Sequence, residues 1–468
     1  MSDTFIDQSW DRIVPVLEQY IRIPNKSPAF DPEWEAHGHM ERAVALVRDW
    51  LAAADIDGID VSVHRLPGRT PVIVCEIPAT TTATTGTVLL YGHLDKQPEM
   101  EGWFDGFGPW EPRIEGDRLY GRGGADDGYA AFAARTAIEA VRNRDRDHAR
   151  CVILIEASEE SGSPDLPAYI EALDEFLGDV ELVVCLDSSC ADYERLWTST
   201  SLRGLVQSDL RVEVLTEGVH SGASGVVPSS FRILRSLLSR IEDEATGRVL
   251  VPSMQAEIPA ERIAQAQQVA ELLDIAEKYP WAGTTQPVTD DRTEMILAQT
   301  WRAALSVTGL SGAPLPVDAG NVLRPQTTAK LSMRLPPLSD SDVAMREMTE
   351  MLTTDVSYGA TVIVSAVECA NGWNAPATAP WLADEIASAS QRAFGQPPGA
   401  MGIGGSIPFM AMLGERYPSA QFVVTGVLGP ESNAHGPNEF LDVPTARRVT
   451  ACVSDIVAAH AEAPSPGP

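Results

Sequence analysis

Two histidines and four acidic residues are the side chains whose types point most clearly to chemistry. They are His93, Asp126, Glu159, Glu160, Asp187 and His435. Two imidazoles with several carboxylates and no thiolate suit one or two zinc-like divalent ions. Taken singly, each of the acids is more often a solvated surface group. A metal site therefore requires a fold that brings these residues together.

One apolar run leads directly into the first of these residues. Leu89–Tyr91 is typical of a buried strand, and Gly92 connects it to His93 and Asp95. Residues two apart in a strand point to the same side, so a carboxylate at Asp95 could fix the tautomer of His93 for metal binding. A satisfied structural histidine is the alternative for this pair alone.

Two further strands lead to the other acidic residues. Cys151–Ile155 precedes Glu159 and Glu160, and Glu181–Leu186 precedes Asp187. Strands that alternate with helices predict an α/β fold with a mainly parallel central sheet and helices on both faces. Because ligands of such sheets bind at the carboxyl ends of the strands, we expect the site there.

The pattern changes in the middle of the chain. From about Gly204 it consists of two successive strand–helix–strand blocks, which are typical of an α+β domain. A chain of 468 residues also exceeds the usual size of a single core. We therefore predict a catalytic domain formed by residues 1–203 and 371–468, with a domain of residues 204–370 inserted into it.

The overall charge and the termini exclude several classes of function. The net charge of −31 argues against nucleic-acid binding, which needs a basic surface. The sequence begins MSDTFIDQSW, without the basic and apolar regions of a secretory signal. No apolar run reaches the ~18 residues of a membrane-spanning helix. These features predict a cytoplasmic protein without nucleic-acid or membrane partners.

Eight motifs in a fixed order give the chain a family resemblance. It resembles the aminoacylase/carnosinase/glutamate carboxypeptidase family of di-zinc metallopeptidases, and in particular the cytosolic dipeptidase branch. The motifs are GHLD-x-QP at Gly92–Pro98, GRG-x-x-DD-G at Gly121–Gly128, EESGS at Glu159–Ser163, LD at Leu186–Asp187, HSG-x-x-G at His220–Gly225, S-x-RL-x-P at Ser332–Pro337, GGSIP at Gly404–Pro408 and AHGPNE at Ala434–Glu439.

The resemblance implies a ligand set for two zinc ions per chain, with manganese or cobalt as alternatives. Asp126 would bridge the ions. His93 and Asp187 would complete one ion, and Glu160 and His435 would complete the other.

The resemblance also implies catalytic roles close to the metals. Glu159 would be the general base that accepts a proton from the attacking water. Asp95 would hold His93 in orientation. Side-chain alternation points Glu159 and Glu160 to different places, but the sequence does not decide which of the two is the ligand.

The inserted domain would correspond to the lid of the family, which usually forms a dimer interface as well. His220 would stabilise the oxyanion, in many members from the neighbouring subunit. Arg334 would bind a substrate carboxylate, together with Gly405 and Ser406, while Asn321 is a further candidate for substrate contact. We therefore expect a homodimer.

The function predicted in this way is hydrolysis of the amide bond of dipeptides or short peptides. An N-acyl-amino-acid deacylase or carbamoylase with the same site is the alternative enzyme, and a non-catalytic metal-binding scaffold is the alternative outside enzymes. Gly402 and Ile403 stand where relatives often have Arg-Glu. The resemblance therefore leaves open whether the substrate is a small peptide or an acylated amino acid.

Overall fold

The computed structural model describes residues 4–82, 86–405 and 407–463. The strands are β1 (Asp60–His64), β2 (Val72–Ile77), β3 (Thr87–His93), β4 (Arg113–Glu115), β5 (Arg118–Tyr120), β6 (Arg150–Glu156), β7 (Val180–Cys185), β8 (Trp197–Leu202), β9 (Gly204–Glu213), β10 (Val219–His220), β11 (Ala304–Ser311), β12 (Val322–Leu323), β13 (Gln326–Leu335), β14 (Thr361–Ala370), β15 (Trp373–Asn374), β16 (Gly399–Ile403), β17 (Gln421–Val424) and β18 (Phe440–Asp442). The α-helices are α1 (Thr4–Ile21), α2 (Trp34–His37), α3 (His39–Ala52), α4 (Ala130–Asn143), α5 (Leu166–Ala172), α6 (Asp174–Leu177), α7 (Ser230–Ile241), α8 (Ala260–Leu272), α9 (Arg292–Thr300), α10 (Ser341–Thr353), α11 (Pro380–Ala393), α12 (Pro408–Arg416) and α13 (Val443–Glu462).

The chain divides into two compact units. The first consists of Met1–Ser199, Ala375–Ala400 and Met412–Pro468, and the second of Thr200–Asn374 and Met401–Ala411. The second unit thus includes a short segment around residues 401–411 that the sequence division assigned to the catalytic domain. We refer to them as the catalytic unit and the inserted unit.

A six-stranded sheet forms the centre of the catalytic unit, in the order β1-β2-β6-β3-β7-β17. The strands β6, β3, β7 and β17 run parallel, whereas β1 and β2 pair antiparallel at one edge. The sheet and its helices confirm the predicted α/β fold with a mainly parallel central sheet. Every residue of β3 is buried, which explains why its sequence is a continuous apolar run rather than an alternating one.

Helices complete the core of the catalytic unit. Helix α4 packs against α1 and α13, and its alanine-rich sequence allows this close approach. Apolar residues of α1, α3, α4, α13 and the sheet belong to one continuous core. Burial of this apolar surface fixes the strands, and with them the positions of the loops at their carboxyl ends.

The inserted unit has an antiparallel four-stranded sheet, in the order β11-β13-β9-β14. Burial alternates along β13, so that every second side chain enters a core shared with α7 and α10. The period of two is what an antiparallel sheet with one covered face requires. None of the helices in the described part of the chain is both long and apolar enough to cross a bilayer.

Candidate metal centre

The carboxyl ends of three neighbouring parallel strands form the base of the site. β3 ends at His93, opposite Glu156 at the end of β6, and Cys185 at the end of β7 is paired with Tyr91. The short turn Glu159–Ser161 follows β6. The strand order therefore brings residues from three separate segments to one edge of the sheet, as the sequence predicted.

His93 lies in the middle of a group of carboxylates. Its Nε2 is 3.4 Å from Oδ1 of Asp126, 3.7 Å from Oδ2 of Asp187 and 3.9 Å from Oε2 of Glu159. The side chain of His93 is fully buried. Its Nδ1 is 3.1 Å from the backbone carbonyl of Asp95 and donates to it, which leaves Nε2 as the atom that faces the acids.

The second histidine approaches the same aspartate from the other side. Nε2 of His435 is 3.0 Å from Oδ2 of Asp126 and 3.3 Å from Oε2 of Glu160. Asp126 thus directs one carboxylate oxygen to His93 and the other to His435. Gln97 donates from Nε2 to Oε2 of Glu160 at 2.6 Å and holds that carboxylate in place.

The site carries an excess of negative charge. Burial raises the pKa of Glu159 and Glu160 well above the ordinary value, and the charges of Asp187 and Asp126, respectively, raise it further. Burial also raises the pKa of Asp187 to about 6. Burial opposes protonation of His93, but the surrounding carboxylates outweigh it and raise its pKa. Four acids against two imidazoles make a site that attracts a cation.

Two buried atoms test whether these residues fit a metal ion. Nε2 of His93 and Oε1 of Glu160 are both buried without a hydrogen-bond partner. Ligand atoms of His93, Glu159 and Asp187 lie within 4.8 Å of one another, and so do those of His93, Asp126 and Glu160. Such N/O donor sets suit zinc, manganese or cobalt. The residues fit divalent ions.

Asp95 is connected to the site differently from the sequence-based expectation. The backbone carbonyl of Asp95 orients His93, because it accepts the hydrogen bond from Nδ1 of His93. The carboxylate oxygen Oδ1 of Asp95 lies farther away, 3.5 Å from the same Nδ1. The two carboxylate oxygens instead accept the backbone N–H groups of Glu159 and Glu160, at 3.1 and 3.0 Å. Asp95 therefore holds both the histidine and the turn that carries the two glutamates.

Several residues around the site had no role in the sequence interpretation. Asp127 is fully buried and accepts the N–H of His93 at 3.2 Å. Arg122 and Glu439 form a buried ion pair behind Asp126. The motifs contained all three residues and Gln97 as well, but motif membership alone does not reveal which atoms they contact.

A second buried acid lies beneath the turn of the two glutamates. Glu156 accepts hydrogen bonds from Tyr91 at 2.5 Å and from Ser163 at 2.8 Å. Burial raises the pKa of Glu156 to about 7, with a further contribution from the charge of Asp95. It supports the turn from below and is distinct from the four acids that face the histidines.

The remaining candidate residues lie in the inserted unit. His220 pairs with Val322, and the N–H of Ser221 donates to the carbonyl of Asn321 at 2.9 Å, so His220 and Asn321 are close together. Arg334 is the penultimate residue of β13 and lies opposite Leu205.

These candidates lie near opposite ends of β13. Since a strand rises about 3.3 Å per residue, Gln326 and Arg334 are roughly 26 Å apart. The carbonyl of Pro325 still accepts hydrogen bonds from the segment that follows β9, and β10 and β12 pair after it, so His220 and Asn321 lie beyond the Gln326 end of β13. Gly405 follows Gly404, whose carbonyl accepts from Arg203 at 3.0 Å. Ser406 lies outside the described residues.

Comparisons with known proteins identify relatives that match nearly the whole chain. The Beta-Ala-His dipeptidase of Homo sapiens is 27% identical over 457 residues, which cover 93% of this chain and 87% of that protein. The cysteinylglycine-S-conjugate dipeptidase of Corynebacterium striatum is 28% identical over 431 residues, with 90% of each chain covered. The crystal structure of human carnosine dipeptidase 1 has a similar fold, with a TM-score of 0.73, 23% identity and 98% of each chain covered.

A family model defines the relationship. The model of peptidase family M20/M25/M40 matches residues 89–459, well over half of the chain and including every candidate metal ligand. The resemblance seen in the eight motifs is thereby confirmed, and the chain belongs to peptidase family M20/M25/M40.

Proposed function

We propose that the protein is a metal-dependent dipeptidase with a two-ion site. One observation carries the proposal: the two carboxylate oxygens of Asp126 face two different histidines, at 3.4 Å from His93 and 3.0 Å from His435. A carboxylate between two imidazoles, each with a further acid beside it, is the donor arrangement that a pair of ions requires.

In this proposal, Asp126 would help to hold both ions. His93 and Asp187 would hold the first, and Glu160 and His435 would hold the second. When bound, such ions would supply Lewis acidity toward a water molecule and a substrate carbonyl. We propose zinc, with manganese or cobalt able to occupy the same N/O donors.

Glu159 lies within reach of the ligand atoms of His93 and Asp187, and we assign it as the general base rather than as a ligand. It accepts a proton from the attacking water and delivers one to the leaving amine. Burial raises the pKa of this carboxylate above its ordinary value, which makes it a better proton acceptor. Asp95 contributes by holding the backbone of Glu159 and Glu160.

The substrate class follows from the relatives. Both curated relatives described above are named as dipeptidases, and they match nearly the whole chain. This favours dipeptides over the N-acylated or carbamoylated amino acids of the alternative hypothesis. A non-catalytic scaffold is disfavoured because a purely structural site needs no additional base at Glu159.

We further propose that the inserted unit binds substrate and that the enzyme is a homodimer. Arg334, with Gly405 and Ser406, would bind the substrate carboxylate, and His220 and Asn321 would act at the carbonyl. A dipeptide cannot reach both ends of a strand roughly 26 Å apart. This separation supports a site that His220 of the partner subunit completes.

A cytoplasmic location is part of the same proposal. All six cysteines are free, and five of them are buried. Reduced thiols of this kind are usual in a reducing compartment. Expression of the tagged protein followed by cell fractionation would test the location, and recovery outside the cytoplasm would contradict it.

Substitution of Glu159 tests the catalytic proposal. Glu159→Gln keeps the size of the side chain but removes the base, so kcat for a dipeptide should fall by about 10²–10⁴-fold. Zinc binding, measured by calorimetric titration, should remain. Glu171→Gln, at an exposed residue of α5, is the matched control. If Glu159→Gln kept full activity, the assignment of the base would be wrong.

Complementation between subunits tests the homodimer. A chain with His220→Ala and a chain with Glu159→Gln should each be nearly inactive alone. Co-expressed in equal amounts, they should recover about a quarter of the native activity, since half of the dimers then contain one intact composite site. The two substitutions in a single chain provide the control. Absence of recovery, or a monomer in sedimentation, would contradict the proposal.

A further inference from the structure

A buried ion pair behind the candidate metal centre has no part in the proposed reaction. Arg122 Nη1 and Glu439 Oε2 are 2.8 Å apart, and their side chains are 1% and 0% exposed. Removing two charges from water is costly, and such a pair contributes little to stability compared with apolar residues of similar size. The contacts of the pair indicate another use.

The guanidinium group of Arg122 connects two other loops of the site. Its Nε donates to the carbonyl of Pro98 at 3.1 Å, and its Nη2 donates to the carbonyl of Gly436 at 2.6 Å. Pro98 ends the segment that begins at His93, and Gly436 follows His435 directly. One planar fork therefore reaches two loops, each of which carries one histidine.

The carboxylate of Glu439 holds a third loop, the one that carries Asp126. It accepts the backbone N–H groups of Gly123 at 3.0 Å, Ala125 at 3.3 Å and Asp126 at 3.3 Å. The backbone of Asp126 is thus fixed by an acid from the segment of His435. Through Arg122, the same acid is linked to the loop after His93.

Lys96 does not replace Arg122 as the partner of this acid. It is also fully buried, but its ammonium group donates to the carbonyls of Tyr20 at 2.8 Å and Ile23 at 2.9 Å. The direct ion pair of Glu439 is therefore with Arg122. A lysine in place of Arg122 could keep the charge but could not reach Glu439, Pro98 and Gly436 together.

We propose that Arg122 and Glu439 are positioning residues that fix the distance between Asp126 and His435, and so determine the affinity for the ion beside His435. This inference rests on the proposed two-ion site. Because Arg122 contacts the residue next to His435, the effect should fall on the ion held by His435 and Glu160. The ion held by His93 and Asp187 should be affected less, because β3, the carboxylate of Asp127 and the carbonyl of Asp95 also fix His93.

The test is a calorimetric titration of the chelator-treated full-length protein with zinc. We expect Arg122→Lys and Glu439→Gln each to weaken one of the two binding events by about 10–100-fold, as loss of partners of metal ligands does. The other event should stay within about threefold of the native value. The melting temperature of the metal-free variants will also fall, because each substitution breaks a buried ion pair. A purely structural role would weaken both binding events alike.

Arg65→Lys is the matched control. Arg65 forms an exposed ion pair with Glu41 of α3 at 2.7 Å and contacts none of the loops that carry the candidate metal ligands. Its zinc binding should match that of the native protein. Unchanged zinc affinity in the two test variants, equal weakening of both events, or failure of both metal-free variants to fold would each overturn the inference. Absence of zinc binding in the native protein would instead overturn the proposed function.

Discussion

Replacement of Asp95 by asparagine tests how the turn of the two glutamates is held. The carboxylate of Asp95 is completely buried and accepts the N–H groups of Glu159 and Glu160. The amide side chain of the Asp95→Asn variant would keep one oxygen acceptor, while its NH2 group would face the other N–H. The variant therefore loses the charge of the acceptor and leaves one buried donor without a partner.

The expected size follows from these two contacts. Hydrogen bonds to a charged group contribute about 1.5–3 kcal/mol each, and an unsatisfied buried donor costs about 1–3 kcal/mol. Asparagine retains part of one contact, so we expect the free energy of unfolding to fall by about 2–4 kcal/mol. If about 2 kcal/mol of positioning is also lost in the transition state, kcat/KM falls roughly 30-fold.

Two measurements on the same variant check this. Urea unfolding gives the loss of stability, and dipeptide hydrolysis gives the loss in kcat/KM. Asp340→Asn, at the N-cap of α10, makes the same chemical change where a carboxylate accepts the N–H of Val343 in the inserted unit, and asparagine caps equally well. If Asp95→Asn stayed within twofold of the native enzyme in kcat/KM and kept its stability, the anchoring role would be refuted.

Two further predictions concern residues that support the site. Gly92→Ala should lower the free energy of unfolding, measured in urea, by about 1–3 kcal/mol. The added Cβ would lie 2.6 Å from Cβ of Ala130 and 2.7 Å from Oδ2 of Asp127. Unchanged stability would show that the packing around Gly92 is looser than described. Glu156 has its pKa raised from 4.5 to about 7 by burial and then by Asp95, so its contribution to stability is present below about pH 4.5 and is lost as the pH rises through 7. In chelator-treated protein, the stability of the native chain relative to Glu156→Gln should therefore fall by about 3 kcal/mol between pH 4 and pH 8, and a difference that does not change with pH would contradict this.

The sequence was sufficient to predict the convergence of the metal candidates. His93, Glu159 and Asp187 each follow an apolar run, and parallel strands direct their carboxyl ends to the same edge. The two strand–helix–strand blocks after Gly204 likewise predicted an α+β domain, and its strands β9 and β13 alternate in burial. These features depend on local periodicity, which a single sequence contains.

The strand order and the contacts between loops could not be predicted in this way. β6 lies between β2 and β3 although it follows both in the chain, and this order places the turn after β6 beside Asp95, which follows β3. The pair of Arg122 and Glu439 is separated by 317 residues. Such contacts result from the packing of the whole catalytic unit, and no periodic signal in the sequence indicates them.

Metal-dependent hydrolysis of a dipeptide is the most direct test of the proposed function. The purified protein, treated with a chelator and dialysed, would be assayed with a set of dipeptides and with the corresponding N-acetyl amino acids, before and after addition of zinc. We predict no hydrolysis without metal, and restoration of dipeptide hydrolysis as two equivalents of zinc per chain are added. Dipeptide hydrolysis that continued in the chelated protein, or turnover of the acylated amino acids alone, would contradict the proposal.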